Sequence, residues 1–299
     1  MKAIIFPGQG AQFVGMGRDL CARSPRAAQL FQEADDLLGY SLTTTCFEGP
    51  EEDLLRTDRA QPGIYVVSVA SVLAAEEDGR LNRDEVSGVA GLSLGEYTAL
   101  WFAGVFSFAD GLGLVQLRGS AMQEASLRQP SGMIALLAAD APTARAISDE
   151  ARGPGVLVVA NLNAPGQVIL SGDAEALARV PEVARSHGVR KCIPLKVAGA
   201  FHSPLMMPAR EALQAALSAA PLRDALLPIY LNVTAAPSTA AGDFRTLLAD
   251  QLVSPVLWEA SMRRMIEDGF TSFSEPPPGT TLAGMLKKIN GEIAAVHPL

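Results

Sequence analysis

A serine bracketed by two glycines, between a short apolar run and a helical segment, constrains the fold of this chain more than any other feature. The run Val86–Ala90 predicts a buried strand that leads through Gly91-Leu-Ser-Leu-Gly95 into a helical segment from Glu96 to Val105. The glycines allow a tight strand-to-helix turn, which exposes the hydroxyl of Ser93. Free N–H groups at the helix start, including that of Leu94, can face a developing oxyanion. We interpret Ser93 as a candidate nucleophile; the alternative is a serine that caps a glycine-rich turn.

A nucleophilic serine needs a base, and the chain has three histidines. His187 precedes a glycine at the end of a helical segment, where a histidine complements the helix dipole, so we expect a structural role. His297 is close to the C-terminus and is expected to be frayed or solvated. His202 follows a predicted strand in a loop, where catalytic groups are usually presented. We therefore predict that His202 is the base.

A third candidate residue, Arg118, lies in the middle of an apolar helical face. Its neighbours three and four residues away are Leu114, Val115, Ala121 and Met122. A guanidinium in such a position is unfavourable unless an anion meets it, and this face carries no acidic residue. The anion is either a carboxylate from elsewhere in the fold, in a buried salt bridge, or the carboxylate of a ligand. The sequence pattern leaves both possibilities open.

The order of predicted elements indicates an α/β fold with a smaller unit inserted in a larger one. Residues 128–196 predict strand, helix, strand, strand, helix and strand, which is the order of a ferredoxin-like subdomain. We predict a large catalytic subdomain from residues 1–127 and 197–299, with the small subdomain between them. The predicted strands are Met133–Ala138, Val156–Ala160, Gln167–Ser171 and Lys191–Val197, and the helices are Pro142–Arg152 and Ala174–His187.

Composition narrows the class of protein. Hydrophobic residues make up 48% and charged residues 19% of the 299, as in a globular enzyme with a sizeable core. The net charge of −8 argues against general binding of nucleic acid. No apolar stretch reaches the roughly 18 residues that a membrane helix needs, and the apolar run at the N-terminus is too short for a signal peptide. Three scattered cysteines, Cys21, Cys46 and Cys192, predict ordinary buried thiols in a reducing compartment, and we expect a cytoplasmic protein.

Beyond these patterns, six short segments carry a resemblance to a known family: Phe6-Pro-Gly-Gln-Gly-Ala-Gln12, Gly91-Leu-Ser-Leu-Gly-Glu-Tyr97, Arg118-Gly119, Asn163-Ala-Pro-Gly-Gln167, Ala200-Phe-His-Ser203 and Gln251-Leu-Val-Ser-Pro-Val256. In the order of these segments, and along essentially its whole length, the chain resembles the malonyl-CoA:acyl carrier protein transacylases. This family includes free-standing acyltransferases that serve fatty-acid and polyketide synthases. The resemblance implies an α/β-hydrolase-like core with an inserted ferredoxin-like subdomain, in agreement with the predicted order of elements.

The resemblance also implies catalytic roles. Ser93 would be acylated, and His202 would act as its base and later as an acid. Family members lack a carboxylate third member of the triad, and the imidazole is held instead by a main-chain carbonyl, which maps to Gln251. The backbone N–H groups of Gln9 and Leu94 would form the oxyanion hole.

Substrate recognition can be assigned in the same way. Arg118 would bind the free carboxylate of malonate, and Asn163 would lie at the edge of the substrate pocket. Leu92 stands where many members have a histidine, so any polar role of that histidine is absent. Phe201, directly before His202, resembles the malonyl-selective members and would fill the space that an α-methyl group needs.

The implied reaction is the transfer of a malonyl group from malonyl-CoA to the phosphopantetheine thiol of an acyl carrier protein, by a ping-pong mechanism with no bound cofactor or metal. We expect a monomer. The main alternative is an acyl hydrolase on the same fold, which would not need Arg118; a general esterase and a silent docking module fit less well. Candidate docking sites for an acidic carrier are the basic pairs Arg190-Lys191, Arg263-Arg264 and Lys287-Lys288.

Overall fold

The computed structural model describes residues 1–293 in full and the backbone of residues 296–298. The first part of the chain contains β1 (Lys2–Phe6), α1 (Arg18–Arg23), α2 (Pro25–Leu38), α3 (Leu42–Glu48), α4 (Glu51–Leu55), α5 (Thr57–Glu77), β2 (Val86–Gly91), α6 (Gly95–Phe102) and α7 (Phe108–Leu127). The middle part contains β3 (Ser131–Leu137), α8 (Ala141–Arg152), β4 (Leu157–Ala164), β5 (Gln167–Asp173), α9 (Ala174–Ser186) and β6 (Lys191–Pro194). The last part contains α10 (Met207–Ala219), β7 (Ile229–Tyr230), β8 (Pro237–Ser238), α11 (Ala241–Asp250), α12 (Trp258–Glu267), β9 (Ser272–Glu275), α13 (Thr281–Ile289) and β10 (Val296–Pro298).

The first and last parts build one sheet with the strand order β10-β9-β1-β2-β7-β8. Its neighbouring strands run parallel except for β7 and β8. Strand β1 is buried on both faces, as its apolar run predicts: Ile4 and Phe6 belong to one core cluster, and Ala3 and Ile5 to another. Helices α5 and α7 contribute to the first cluster, and α12 and α13 to the second. The predicted α/β class with a hydrolase-like parallel core is confirmed.

Two expectations from the sequence need correction here. Helix α6 ends at Phe102 rather than Val105, because Gly104 adopts φ 80° and turns the chain. The expectation that His297 is frayed is wrong for its backbone, which lies in β10 and pairs with Ser274 of β9.

The middle part builds an antiparallel sheet with the strand order β4-β5-β3-β6, covered by α8 and α9. This is the strand order of a ferredoxin-like fold, so the predicted fold class of the inserted unit is confirmed. Strand β4 is longer than predicted and β6 ends three residues earlier, at Pro194. The strands lie within the predicted limits 128–196, although those limits themselves remain a prediction.

The inserted sheet contacts the larger part of the molecule along β4. The N–H of Leu162 donates to the carbonyl of Val256 at 2.9 Å, and the N–H of Val256 donates to the carbonyl of Ala160 at 2.8 Å. Helices α12 and α13 also contact β4. The inserted sheet is therefore joined to the segment just before α12 and to two helices of the larger part. Over the described residues, no helix combines the length and the apolar character that crossing a bilayer requires.

Candidate active site

The turn between β2 and α6 holds Ser93 in a left-handed conformation, with φ 52°. A Cβ added at Gly95 would lie 2.2 Å from the carbonyl oxygen of Phe6, and one added at Gly91 would lie 1.9 Å from the carbonyl carbon of Gly95. Both positions therefore exclude a side chain, as the sequence pattern predicts. The N–H of Ser93 donates to Oδ1 of Asn232 at 2.6 Å, which fixes the turn from the side of β7. The hydroxyl is left to face the site.

His202 lies beside this hydroxyl. Its Nε2 is 2.9 Å from Oγ of Ser93, and its Nδ1 is 2.7 Å from the main-chain oxygen of Gln251. Because a carbonyl only accepts, Nδ1 carries the proton and Nε2 presents its lone pair to the hydroxyl. Burial, and then the charge of Arg118, lower the pKa of His202 to about 4. The ring is therefore neutral, as a base must be, at neutral pH.

Arg118 reaches the same hydroxyl from α7. One terminal nitrogen donates to Oγ of Ser93 at 3.0 Å and to Oε1 of Gln251 at 2.8 Å, and the other donates to Oε1 of Gln61 at 2.8 Å. Arg118 is 1% exposed, and its Nε has no hydrogen-bond partner in the part of the chain that the structure describes. Within the described residues no carboxylate oxygen lies within 4.0 Å of the guanidinium. The buried salt bridge left open by the sequence is thus not observed there.

The backbone N–H groups of Gln9 and Leu94 have no internal acceptor among the hydrogen bonds of the described residues. Two unpaired donors beside a nucleophile are the arrangement that an oxyanion requires. The loop that carries Gln9 is connected to the site through side chains: Nε2 of Gln61 donates to Oε1 of Gln9 at 3.3 Å, and Nε2 of Gln9 donates to Oγ1 of Thr57 at 3.4 Å. The role of both N–H groups stays a prediction.

A cavity of about 230 Å³ opens in front of these groups. It brings together seven of the nine residues singled out from the sequence: Gln9, Leu92, Ser93, Arg118, Asn163, Phe201 and His202. The other two, Leu94 and Gln251, are fully buried behind it. The small sheet contributes the opposite wall, including Met133, Asn161 and Ile169. Among the described residues, no three side chains of the metal-binding types lie close enough to hold an ion.

Sequence reasoning missed three buried polar residues behind the site, Glu96, Asn232 and Gln61. Glu96 accepts hydrogen bonds from the N–H of Asn232 and from Nε2 of Gln251. Burial raises the pKa of Glu96 to about 8, whereas these two hydrogen bonds and the charge of Arg118 act to lower it. A signal was present in the sequence, since Glu96 is the one charged residue in the apolar helix 95–102.

Known proteins share both this sequence and this architecture. The acyl transferase domain family matches residues 3–296. The chain belongs to this family. A malonyl CoA-acyl carrier protein transacylase of Bacillus subtilis is 41% identical over 295 residues, which are 98% of the chain and 92% of that relative. The predicted resemblance to the malonyl-CoA:acyl carrier protein transacylases is therefore confirmed.

Solved acyl transferase structures agree with the fold. An acyl-carrier-protein S-malonyltransferase from Bartonella henselae superposes with a TM-score of 0.95 at 36% identity, and the match covers 99% of this chain and 94% of the other. A malonyl transacylase solved in complex with a type II polyketide acyl carrier protein gives a TM-score of 0.93 at 35% identity, with coverage of 97% and 93%.

Proposed function

We propose that this acyl transferase moves a malonyl group from malonyl-CoA to the phosphopantetheine thiol of an acyl carrier protein, through an ester on Ser93. The observation that carries this proposal is Arg118: a buried guanidinium with no carboxylate partner in the described part of the chain, 3.0 Å from the candidate nucleophile. A dicarboxylic acyl group supplies the missing anion. Malonyl-CoA and the carrier are substrates, and the reaction needs no resident cofactor.

In the first half-reaction Oγ of Ser93 attacks the thioester carbonyl while Nε2 of His202 takes the hydroxyl proton. The oxygen that becomes negative lies against the N–H groups of Gln9 and Leu94. Collapse of this intermediate breaks the carbon–sulfur bond, and His202 returns the proton to the coenzyme A sulfur. In the second half-reaction the carrier thiol loses its proton to His202 and attacks the ester, and Ser93 leaves as the hydroxyl.

The carbonyl of Gln251 has a defined part in these steps. It accepts a hydrogen bond from Nδ1–H of His202 in both half-reactions, so it holds one tautomer and stabilises the imidazolium that forms. This contact takes the place of the carboxylate in a Ser-His-Asp triad.

Three further residues shape the acyl pocket in this proposal. Phe201 is 5% exposed and lines the cavity. With malonate bound to Arg118, it would fill the space that an α-methyl group needs. Leu92, beside the nucleophile, presents an apolar wall. Asn163 lies in the same cavity wall, and its buried Oδ1 has no partner among the described residues, which suits contact with a polar part of the substrate.

The decisive experiment records the intact mass of the protein after incubation with malonyl-, methylmalonyl- or acetyl-CoA. We expect a malonyl adduct that is absent from Ser93→Ala. In Arg118→Ala the malonyl adduct should weaken and the acetyl adduct should gain, whereas Arg128→Ala, a change of the exposed arginine just after α7, should behave as wild type. Phe201→Ala should gain the methylmalonyl adduct by about tenfold, the usual scale for one pocket contact.

The same spectra test the alternative acyl hydrolase. If no dicarboxylic adduct forms and simple acyl thioesters are only hydrolysed, the transferase proposal is wrong.

A cytoplasmic location is part of the proposal and is supported by the free thiols of Cys21, Cys46 and Cys192. The expectation that all three are buried is right for Cys46 and wrong for Cys21 and Cys192, which are half-buried. Fractionation of cells that produce the chain tests it.

A further inference from the structure

Glu96 is a buried carboxylate behind the nucleophile that the proposed reaction steps do not use. It is 1% exposed, and it lies on α6 three residues after Ser93. One oxygen accepts from the backbone N–H of Asn232 and the other from Nε2 of Gln251. Neither of these groups can accept a hydrogen bond in return. The contacts therefore favour the ionised carboxylate and oppose the effect of burial.

The amide of Gln251 can have one orientation only. Its Oε1 accepts from Arg118 at 2.8 Å, and a guanidinium has no acceptor. Its Nε2 lies 3.0 Å from the carbonyl of Ser93 and also donates to Glu96, and both of those groups are acceptors. A flipped amide would place donor against donor at Arg118. Gln251 thus connects the buried carboxyl group of Glu96 to the buried guanidinium of Arg118 through one amide group.

We propose that Glu96 is a positioning residue: through the side chain of Gln251 it fixes the direction of the Arg118 guanidinium and so sets the preference for acyl groups that carry a free carboxylate. Glu96 does not touch the substrate. The titratable and charged groups near it are Arg118 on α7 and Tyr97 on α6, and Arg118 is the one positive charge among them. The second contact of Glu96 reaches the Ser93 turn, because Asn232 also accepts from the N–H of Ser93.

The contacts of Glu96 with Asn232 and with Gln251 predict different effects when they are lost. Loss of the connection to Asn232 relaxes the nucleophile turn and slows acylation by every donor alike. Loss of the connection to Gln251 misdirects Arg118 and slows only donors that need the guanidinium. The ratio of malonyl to acetyl acylation therefore isolates the second effect, because Ser93 and His202 serve both donors. This inference rests on the proposed function, since its readout is acylation of Ser93 by malonyl-CoA.

The test is a competition between malonyl-CoA and acetyl-CoA for wild type and Glu96→Gln, with the two adducts on Ser93 counted by intact mass. The variant amide keeps the shape of Glu96 but places an N–H against Asn232 or Gln251. We expect the malonyl-to-acetyl ratio to fall by about 10- to 100-fold, the scale of one hydrogen bond to a charged group. Glu124→Gln makes the same substitution at an exposed position on α7 and should leave the ratio unchanged.

A second variant covers the case in which Glu96→Gln does not fold. Gln251→Met keeps the backbone carbonyl that holds His202 and breaks only the side-chain connection, so it should lower the same ratio. A wild-type ratio in a folded Glu96→Gln, or in Gln251→Met, overturns the inference. Failure of the proposed function looks different, because wild type itself would then form no malonyl adduct.

Discussion

At the scale of single residues, the proposed mechanism has the charge of Arg118 act on His202, the proposed base, as well as on the substrate. Burial and this charge hold the pKa of His202 at about 4, and only the neutral ring can take a proton from Ser93. With acetyl-CoA as donor, the rate of acylation should therefore rise as the pH increases through about 4 and stay level up to neutral pH. Rapid-quench measurement of the adduct checks this.

The effect of the Arg118 charge on the pKa of His202 can be separated from the effect of burial. Arg118→Ala removes the charge and leaves the ring buried, so the midpoint of the acidic limb should move upward, toward the ordinary histidine value of about 6.5. Arg118→Lys keeps a positive charge and should keep the low midpoint. Equal midpoints in wild type and Arg118→Ala would show that the guanidinium does not influence the base.

Single residues also show how much of the candidate site can be predicted from the sequence. Ser93, His202 and Arg118 stand out because each conflicts with its surroundings: a serine between glycines, a histidine at a strand end, a charge on an apolar face. Glu96 and Gln61 conflict with theirs as well, but their partners lie on distant segments. A hydrogen-bond network of this kind is defined by side-chain directions, which a sequence pattern does not supply.

At the scale of elements, the strand–turn–helix unit depends on close backbone approach at Gly95. Gly95→Ala would place a Cβ 2.2 Å from the carbonyl oxygen of Phe6, so β1 and the turn must separate. We expect a loss of about 1–3 kcal/mol in the free energy of unfolding and a large fall in Ser93 acylation. Denaturant titration measures the free energy of unfolding, and intact-mass assays measure the acylation of Ser93.

A matched glycine on α7 provides the control. A Cβ at Gly113 meets no atom within 4 Å, and this residue is exposed in mid-helix. Gly113→Ala should therefore leave acylation unchanged and add up to about 1 kcal/mol of stability. If Gly95→Ala is as active and stable as Gly113→Ala, close approach is not what excludes a side chain from the turn.

The elements differ in how far local sequence specifies them. The inserted sheet could be predicted because its strands and helices alternate over one continuous stretch with clear caps, such as Asp140 before α8 and Asp173 before α9. The large sheet could be predicted only as a class. Its centre pairs β1 with β9, about 270 positions later, and the pairing of short strands so far apart leaves no local pattern.

At the scale of the whole molecule, the three basic pairs differ in their surroundings. Arg263 and Arg264 already form ion pairs with Glu259 and Asp268. Arg190 and Lys191 are exposed and form no ion pair within the described residues, and Lys191 lies on β6, just before the cavity-lining segment around Leu195. Lys287 and Lys288 end α13, whose first turn also lines the cavity.

These differences predict which pairs meet an acidic carrier protein. Replacement of Arg190 and Lys191 by Glu should raise the apparent KM for the carrier, most strongly at low ionic strength, and leave acylation by malonyl-CoA unchanged. The Lys287-Lys288 pair, treated in the same way, is the second candidate. Reversal of Arg263 and Arg264 should have the smallest effect on KM. If none of the three reversals changes KM for the carrier, the basic-pair hypothesis is wrong.

Because the backbone of Ser93 is left-handed, stability and the proposed activity favour different residues at this position. Ser93 and His202 are two of the four non-glycine residues with positive φ in the described part of the molecule, and such a conformation costs an ordinary residue about 1–2 kcal/mol. Ser93→Gly and Ser93→Ala lose the same hydroxyl, yet the glycine variant should be the more stable by about 1 kcal/mol in denaturant titration. Equal stabilities would argue that the turn is unstrained. Backbone strain alone thus favours glycine at position 93, whereas the proposed acyl transfer requires the serine hydroxyl.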